Sequence, residues 1–122
     1  MRHWGKELIL NARKCSSVRI NNPRNIELFL GSMVQKINMK AYGNPQIHYF
    51  GSDNKQGWSA FQLIETSNIS LHACDESGDM YLNIFSCKFF DEHVAKAVVL
   101  DWFVPESIDM KVINRDAKYI MQ

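Results

Sequence analysis

Six residues between positions 59 and 87 have reactive or polar side chains and stand where strand-like stretches would carry apolar ones: Ser59, Ser67, His72, Cys74, Glu76 and Cys87. Ser67 or Ser59 as nucleophile, His72 as base and Glu76 as orienting carboxylate would make a hydrolase. Neither serine, however, sits in a G-x-S-x-G elbow. His72, Cys74 and Cys87 would make three zinc ligands, with His-x-Cys on one strand putting two of them on one face. No fourth ligand stands out, so no metal is expected. The plain structural alternative makes Cys87 a buried apolar thiol, His72 a hydrogen-bonded residue and the serines ordinary strand residues. The sequence has no G-x-x-x-x-G-K, no H-E-x-x-H and no CxxC.

These residues must be held by strands. Residues 58–65 alternate, with Trp58, Ala60, Gln62 and Ile64 on one side and Ser59, Phe61 and Leu63 on the other. Residues 68–73 alternate again, Ile69 and Leu71 against Asn68, Ser70 and His72. The polar turn Asp75-Glu76-Ser77-Gly78-Asp79 then leads into a strand over 80–87, which predicts a hairpin. Further strands are expected over 6–12, 46–50 and 107–112. A helix is expected over 23–42. Asn22 caps it, Pro23 takes the first position, and Ile26, Phe29, Leu30, Met33, Val34 and Ile37 form one apolar stripe. Gly43 would end it. A second helix is expected over 91–103, with Val94, Ala95, Val98, Val99 and Trp102 buried and Pro105 beyond it. The order β-α-β-β-β-β-α-β, with short turns between strands, predicts an α+β fold. It would be a two-layer sandwich, a mostly antiparallel sheet with two helices packed on one face.

The chain has 122 residues, 46% of them hydrophobic and 22% charged, the mix of one globular domain spanning 1–122. That composition excludes a disordered tail, a collagen-like fibre and a repeat array. A net charge of +1 gives no pull toward nucleic acid or an anionic membrane. No apolar run approaches the ~20 residues that cross a bilayer, and the first residues do not lead into a signal-peptide apolar segment. Three cysteines, Cys15, Cys74 and Cys87, cannot all pair within the chain, which fits free thiols and a cytoplasmic location. Three Trp, seven Phe and four Tyr are generous for this volume, which is a reason to expect a dimer.

Taken together, the words in this stretch are more specific than any one alone. They run Ile47-His48-Tyr49-Phe50, Gly57-Trp58-Ser59, Thr66-Ser67-Asn68-Ile69-Ser70-Leu71-His72, Glu76 and Asn83-Ile84-Phe85-Ser86-Cys87. In these words and their offsets the chain resembles the bacterial and archaeal type of S-adenosylmethionine decarboxylase. That family reads F-H-x-F, G-x-S-G, E-S-H-x-x-I-H-T-W-P-E and F-T-C-G. From Ser59 onward the offsets match without a gap: 8 to Ser67, then 5 to His72, 9 to Glu76 and 20 to Cys87 from Ser67. Gly5 followed by Leu8-Ile9-Leu10 is similar to the family's opening strand, and the loop before Ser59 is a few residues longer here. The likeness covers nearly the whole chain.

The resemblance implies a self-processing enzyme with a pyruvoyl group made from Ser67. The Ser67 hydroxyl would attack the Thr66 carbonyl, convert the amide to an ester, and leave dehydroalanine that hydrolyses to pyruvoyl. The chain would then be cut between 66 and 67, with Ser59 and His72 assisting. The substrate amine would form a Schiff base with the ketone, which takes up the electrons left by carbon dioxide. By the same resemblance Cys87 is the acid that protonates carbon, Glu76 holds the ribose hydroxyls of S-adenosylmethionine, and Phe50 stacks the adenine. The product would be the aminopropyl donor for spermidine. A homodimer or higher homo-oligomer, with the site near the subunit interface, is also implied.

The chain departs from the pattern at the cut and in the substrate loop. Thr66 stands where the family has Glu, and Asn68 where it has His. His72-Ala73-Cys74-Asp75-Glu76 replaces H-T-W-P-E, so Trp and Pro are lost and a new carboxylate appears. Two rival readings follow from these changes. One is a changed substrate, arginine or ornithine, with Asp75 and Glu76 pairing its cationic group. The other is an uncleaved, non-catalytic ligand-binding or regulatory homologue.

Overall fold

The structure is a computed structural model that describes residues 3–119; the first two and last three residues lie outside it. Six strands, β1 (Gly5–Arg13), β2 (Gln46–Phe50), β3 (Gly57–Ile64), β4 (Ser67–Cys74), β5 (Met80–Ser86) and β6 (Ser107–Arg115), form one sheet. Their spatial order is β2-β3-β4-β5-β1-β6, and every neighbouring pair is antiparallel. Helices α1 (Ser17–Ile20), α2 (Pro23–Lys36) and α3 (Glu92–Phe103) complete the fold. The expected α+β architecture holds, with the addition of the four-residue α1 that no periodicity announced.

Alternation sorts each strand into a covered and an open face. Leu8, Leu10, Ile69, Leu71, Leu82 and Ile84 lie buried beneath the helices. Against them α2 lays Ile26, Phe29, Leu30 and Met33, and α3 lays Ala95, Val98, Val99 and Phe103. The Phe29 and Phe103 rings meet edge to face at 4.6 Å and join the two helices. The open face carries Ser59, Phe61 and Leu63, then Asn68, Ser70 and His72, then Tyr81, Asn83 and Phe85. Several of its large side chains are exposed, among them Phe61, Leu63 and Tyr81. No described helix covers this face.

The helix expected over 23–42 starts as read. Asn22 Oδ1 accepts from the N–H groups of Arg24 and Asn25, and Pro23 occupies the first turn. It ends earlier, at Lys36. Asn38 takes a left-handed backbone conformation (φ 59°) and donates to Gln35 O, while Met39 N–H donates to Val34 O. That is a Schellman closure with Asn in place of Gly. Gly43 lies in the following segment, which is tied down by Gln62 Nε2 donating to the carbonyls of Tyr42 and Gly43.

Candidate active site

The junction between β3 and β4 is a tight turn of Glu65 and Thr66. Ser67 opens β4, opposite Ser86 of β5. The turn is held from outside, because Glu65 N–H donates to Lys40 O and Tyr42 N–H to Leu63 O. The Thr66 carbonyl accepts the backbone N–H of Cys87 at 3.1 Å. An N–H aimed at this oxygen polarises the carbonyl and favours negative charge on it. Asn68 Nδ2 donates to Ser67 Oγ at 3.2 Å. Ser67, Thr66 and Cys87 therefore form one cluster at this end of the sheet.

The second cluster lies at the other end of β4. Ser59 and His72 are direct cross-strand partners, and Ser59 Oγ is 2.5 Å from His72 Nδ1. His72 Nε2 lies 2.7 Å from the carbonyl oxygen of Lys55. A carbonyl only accepts, so Nε2 carries the proton, Nδ1 of the neutral ring accepts, and Ser59 donates. Lys55 ends the one-turn 3-10 helix Asp53–Lys55 in the lengthened loop. Gly57 makes the pairing possible: a Cβ there would sit 1.7 Å from Ala73 O. The Phe50 ring is 6.2 Å from that of His72. Phe50, Lys55, His72, Cys74, Glu76 and Tyr81 line an open hollow of about 830 Å³.

The expected site residues thus fall into two groups within one chain. Ser67 and Cys87 stand together, and so do Ser59, His72, Phe50 and Glu76. Five residue steps along β4 separate Ser67 from His72, about 17 Å. This distance rules out Ser67 as a nucleophile served by His72 of the same chain. It also removes the zinc set, since Cys87 lies at the far end of the sheet from His72 and Cys74. Ser59 and His72 do meet, yet a backbone carbonyl orients the ring and Glu76 does not.

Asp75 has a different role from the one its position implied. It is hydrogen-bonded to the Tyr49 hydroxyl, and Tyr49 packs edge-on to Trp58, ring centres 5.0 Å apart. Trp58 in turn donates to Asn21 at 3.0 Å, on the helix side of the sheet. Asp75 does not line the hollow. Its hydrogen bond pushes the Tyr49 phenol above the ordinary tyrosine value. Burial, then the charges of Asp79 and Asp75, push the Cys74 thiol up. Burial also raises Cys15 to about 12. All three cysteines are free, and Cys87 is the least buried.

Comparison with known proteins decides the family. The sequence model of S-adenosylmethionine decarboxylase matches residues 6–116. The chain belongs to the S-adenosylmethionine decarboxylase family. Its class is therefore that of the carboxy-lyases. Among solved structures, the adenosylmethionine decarboxylase from Aquifex aeolicus superimposes with a TM-score of 0.80. The overlap covers 95% of this chain and 93% of that one at 19% identity, which shows the shared fold. No individual curated protein matches the sequence.

Asn68, Lys55 and Ser86 touch the junction or His72, and the sequence did not mark them as site residues. Asn68 carried a signal as a departure from the family word. Ser86 carried one as the polar residue in the helix-facing row Met80, Leu82, Ile84. Lys55 acts through its backbone, which leaves no trace in residue type.

Proposed function

We propose that the protein is a self-processing, pyruvoyl-dependent decarboxylase of S-adenosylmethionine, assembled so that two copies share each site. The observation that carries the processing step is the Thr66 carbonyl held by Cys87 N–H beside the Ser67 hydroxyl. Ser67 Oγ attacks the Thr66 carbonyl carbon, and the Cys87 N–H supports charge on the oxygen. The C–N bond breaks, leaving Thr66 esterified to Ser67 Oγ and a free amine on Ser67. Removal of the Ser67 Cα proton expels the Thr66 carboxylate and leaves dehydroalanine. Water then releases ammonia and leaves a pyruvoyl group on residue 67.

The residues present fit that group. Ser67 is paired with Ser86 and Ile64, so its strand stays in place when the bond before it opens. The ketone supplies an electron sink for loss of carbon dioxide. Around it the chain's own residues bind, orient and move protons. Cys87, whose backbone N–H adjoins Thr66, would deliver a proton to carbon. Phe50 offers a π face to adenine and to a sulfonium, worth roughly 0.5–2 kcal/mol. Glu76, exposed in the same hollow, is free to accept from ribose hydroxyls. With Asp75 engaged by Tyr49, the arginine or ornithine reading loses one of the two carboxylates it relied on.

Ser67 and His72 of one copy are too far apart to act together, so a second copy completes the site. A two-fold axis lying between two open sheet faces and crossing β4 near Ser70 reverses the strand. One copy's Ser67 end then faces its partner's His72 end. The exposed Phe61, Leu63 and Tyr81 would be covered by the same contact. Intact-mass analysis tests the core of this reading. The expected result is one piece of residues 1–66 and a second, 67–122, whose amino end is a ketone reducible by borohydride. A single full-length species in protein that decarboxylates would overturn it. The aminopropyl product would serve spermidine synthesis.

A further inference from the structure

Behind the junction, on the covered side of the sheet, four groups form a connected chain of hydrogen bonds. Lys88 N–H donates to Ser86 Oγ at 3.0 Å. Ser86 Oγ donates to Thr66 Oγ1 at 2.8 Å. Thr66 Oγ1 donates to Met39 Sδ at 3.3 Å. The Lys88 N–H only donates and the Met39 thioether only accepts, and Ser86 Oγ too lies within reach of that sulfur, at 3.8 Å. One hydroxyl proton serves the bond between Ser86 and Thr66, and the other serves the Met39 sulfur. Neither has a proton left for the Thr66 carbonyl or for Ser67.

Ser86 is otherwise hard to account for. It is fully buried, at 0% exposure, in a row that is apolar elsewhere on β5. The chain gives it a task. We propose that Ser86 is a positioning residue for cleavage at the 66–67 bond, acting through the Thr66 hydroxyl. This rests on the self-processing reading above. Thr66 has a single side-chain torsion, and its hydroxyl is held from two sides. Its carbonyl is held by Cys87 N–H. With side chain and carbonyl both tied, the peptide plane cannot rotate. The carbonyl carbon therefore stays where Ser67 Oγ can approach it out of plane. A β-branched residue before the attacked bond is in this way turned into an anchor.

The test is the rate of self-cleavage of the full chain, followed by intact mass after synthesis in a cell-free system. Ser86→Ala and Thr66→Val each cut the chain with little change of volume. Each is expected to slow cleavage about 10- to 100-fold, the effect of misplacing reacting atoms by up to ~1 Å. Ser86→Thr keeps the hydroxyl and is expected to restore the rate to within about threefold, which a purely packing role would not produce. The double variant Thr66→Val/Ser86→Ala is expected to be no slower than the slower single, because both break one chain. Thermal melts identify any variant that fails to fold; Thr66→Val, at a half-exposed position, then carries the comparison. Parental protein that cleaves while Ser86→Ala and Thr66→Val keep its rate overturns this inference alone. So does a double variant whose slowing is the product of the two singles. Parental protein that stays whole overturns the self-processing reading, and this inference with it.

Discussion

If two copies share each site, two inactive variants must rescue one another. Cys87→Ala disables the junction end and His72→Ala the hollow end. Within one chain these ends are about 17 Å apart along β4, far beyond the ~3 Å that proton transfer requires. Either variant alone has no intact site. Random pairing at equal expression gives one quarter, one half and one quarter of the three dimers. In each mixed dimer one site carries both defects and the other carries neither. Half the dimers with half their sites intact amount to about a quarter of the parental activity. Co-expression is needed, because processing of the intact site must occur after assembly. The assay is release of labelled carbon dioxide from carboxyl-labelled S-adenosylmethionine, normalised to total protein. Activity near the sum of the two single variants would refute the shared site, and the two clusters would then need another explanation.

Gly57→Ala is expected to break the pairing of Ser59 with His72, since the added Cβ meets Ala73 O at 1.7 Å. Processing should slow sharply while α2 and α3 persist in the circular dichroism spectrum. Lys6, nearly buried, donates to Phe90 O at 2.7 Å and to Glu92 Oε1 at 2.8 Å, and its hydrogen bond holds the Glu92 carboxyl below the usual range. Lys6→Met is expected to cost about 1.5–3 kcal/mol at neutral pH by urea titration. A depressed folded value stabilises fully above the unfolded carboxyl value near ~4.3 and fades as pH falls through the folded one. The gap between parent and variant should therefore narrow toward pH 3. Brief alkylation of native protein near pH 8 should label Cys87 well before Cys15, whose thiol burial raises to about 12; equal labelling would contradict the burial order. Histidine ¹⁵N spectra should show His72 protonated at Nε2, and an Nδ1-protonated ring would refute the Lys55 contact.

The strands that carry the site were legible because one face had to be buried. Ala60, Gln62 and Ile64 against Ser59, Phe61 and Leu63 admits only one register toward the helices. The hairpin over 75–79 then placed His72 and Tyr81 side by side. The meeting of Ser59 with His72 needed the pairing of β3 with β4, which a two-residue turn enforces. The split between Ser67 and His72 was implicit in five residues of extended chain. It stayed hidden while the residues were read as a single constellation. The helix end was missed because Asn38 adopts a left-handed conformation that few residues but glycine take readily. Lys55 escaped notice for a different reason: a carbonyl oxygen is common to every residue, so only the turn's geometry reveals it.

The strand order has a bearing on what happens after the proposed cut. Residues 1–66 hold β1, β2 and β3, and residues 67–122 hold β4, β5 and β6. Read across the sheet β2-β3-β4-β5-β1-β6, the two pieces interleave, and the ladders β3·β4, β5·β1 and β1·β6 all run from one piece to the other. Each half keeps one ladder of its own, β2·β3 or β4·β5, but β1 has both its neighbours in the opposite half and β6 has its one neighbour there. Scission would therefore have to follow folding, and the halves, once severed, would remain interlaced like fingers with no covalent tie between them.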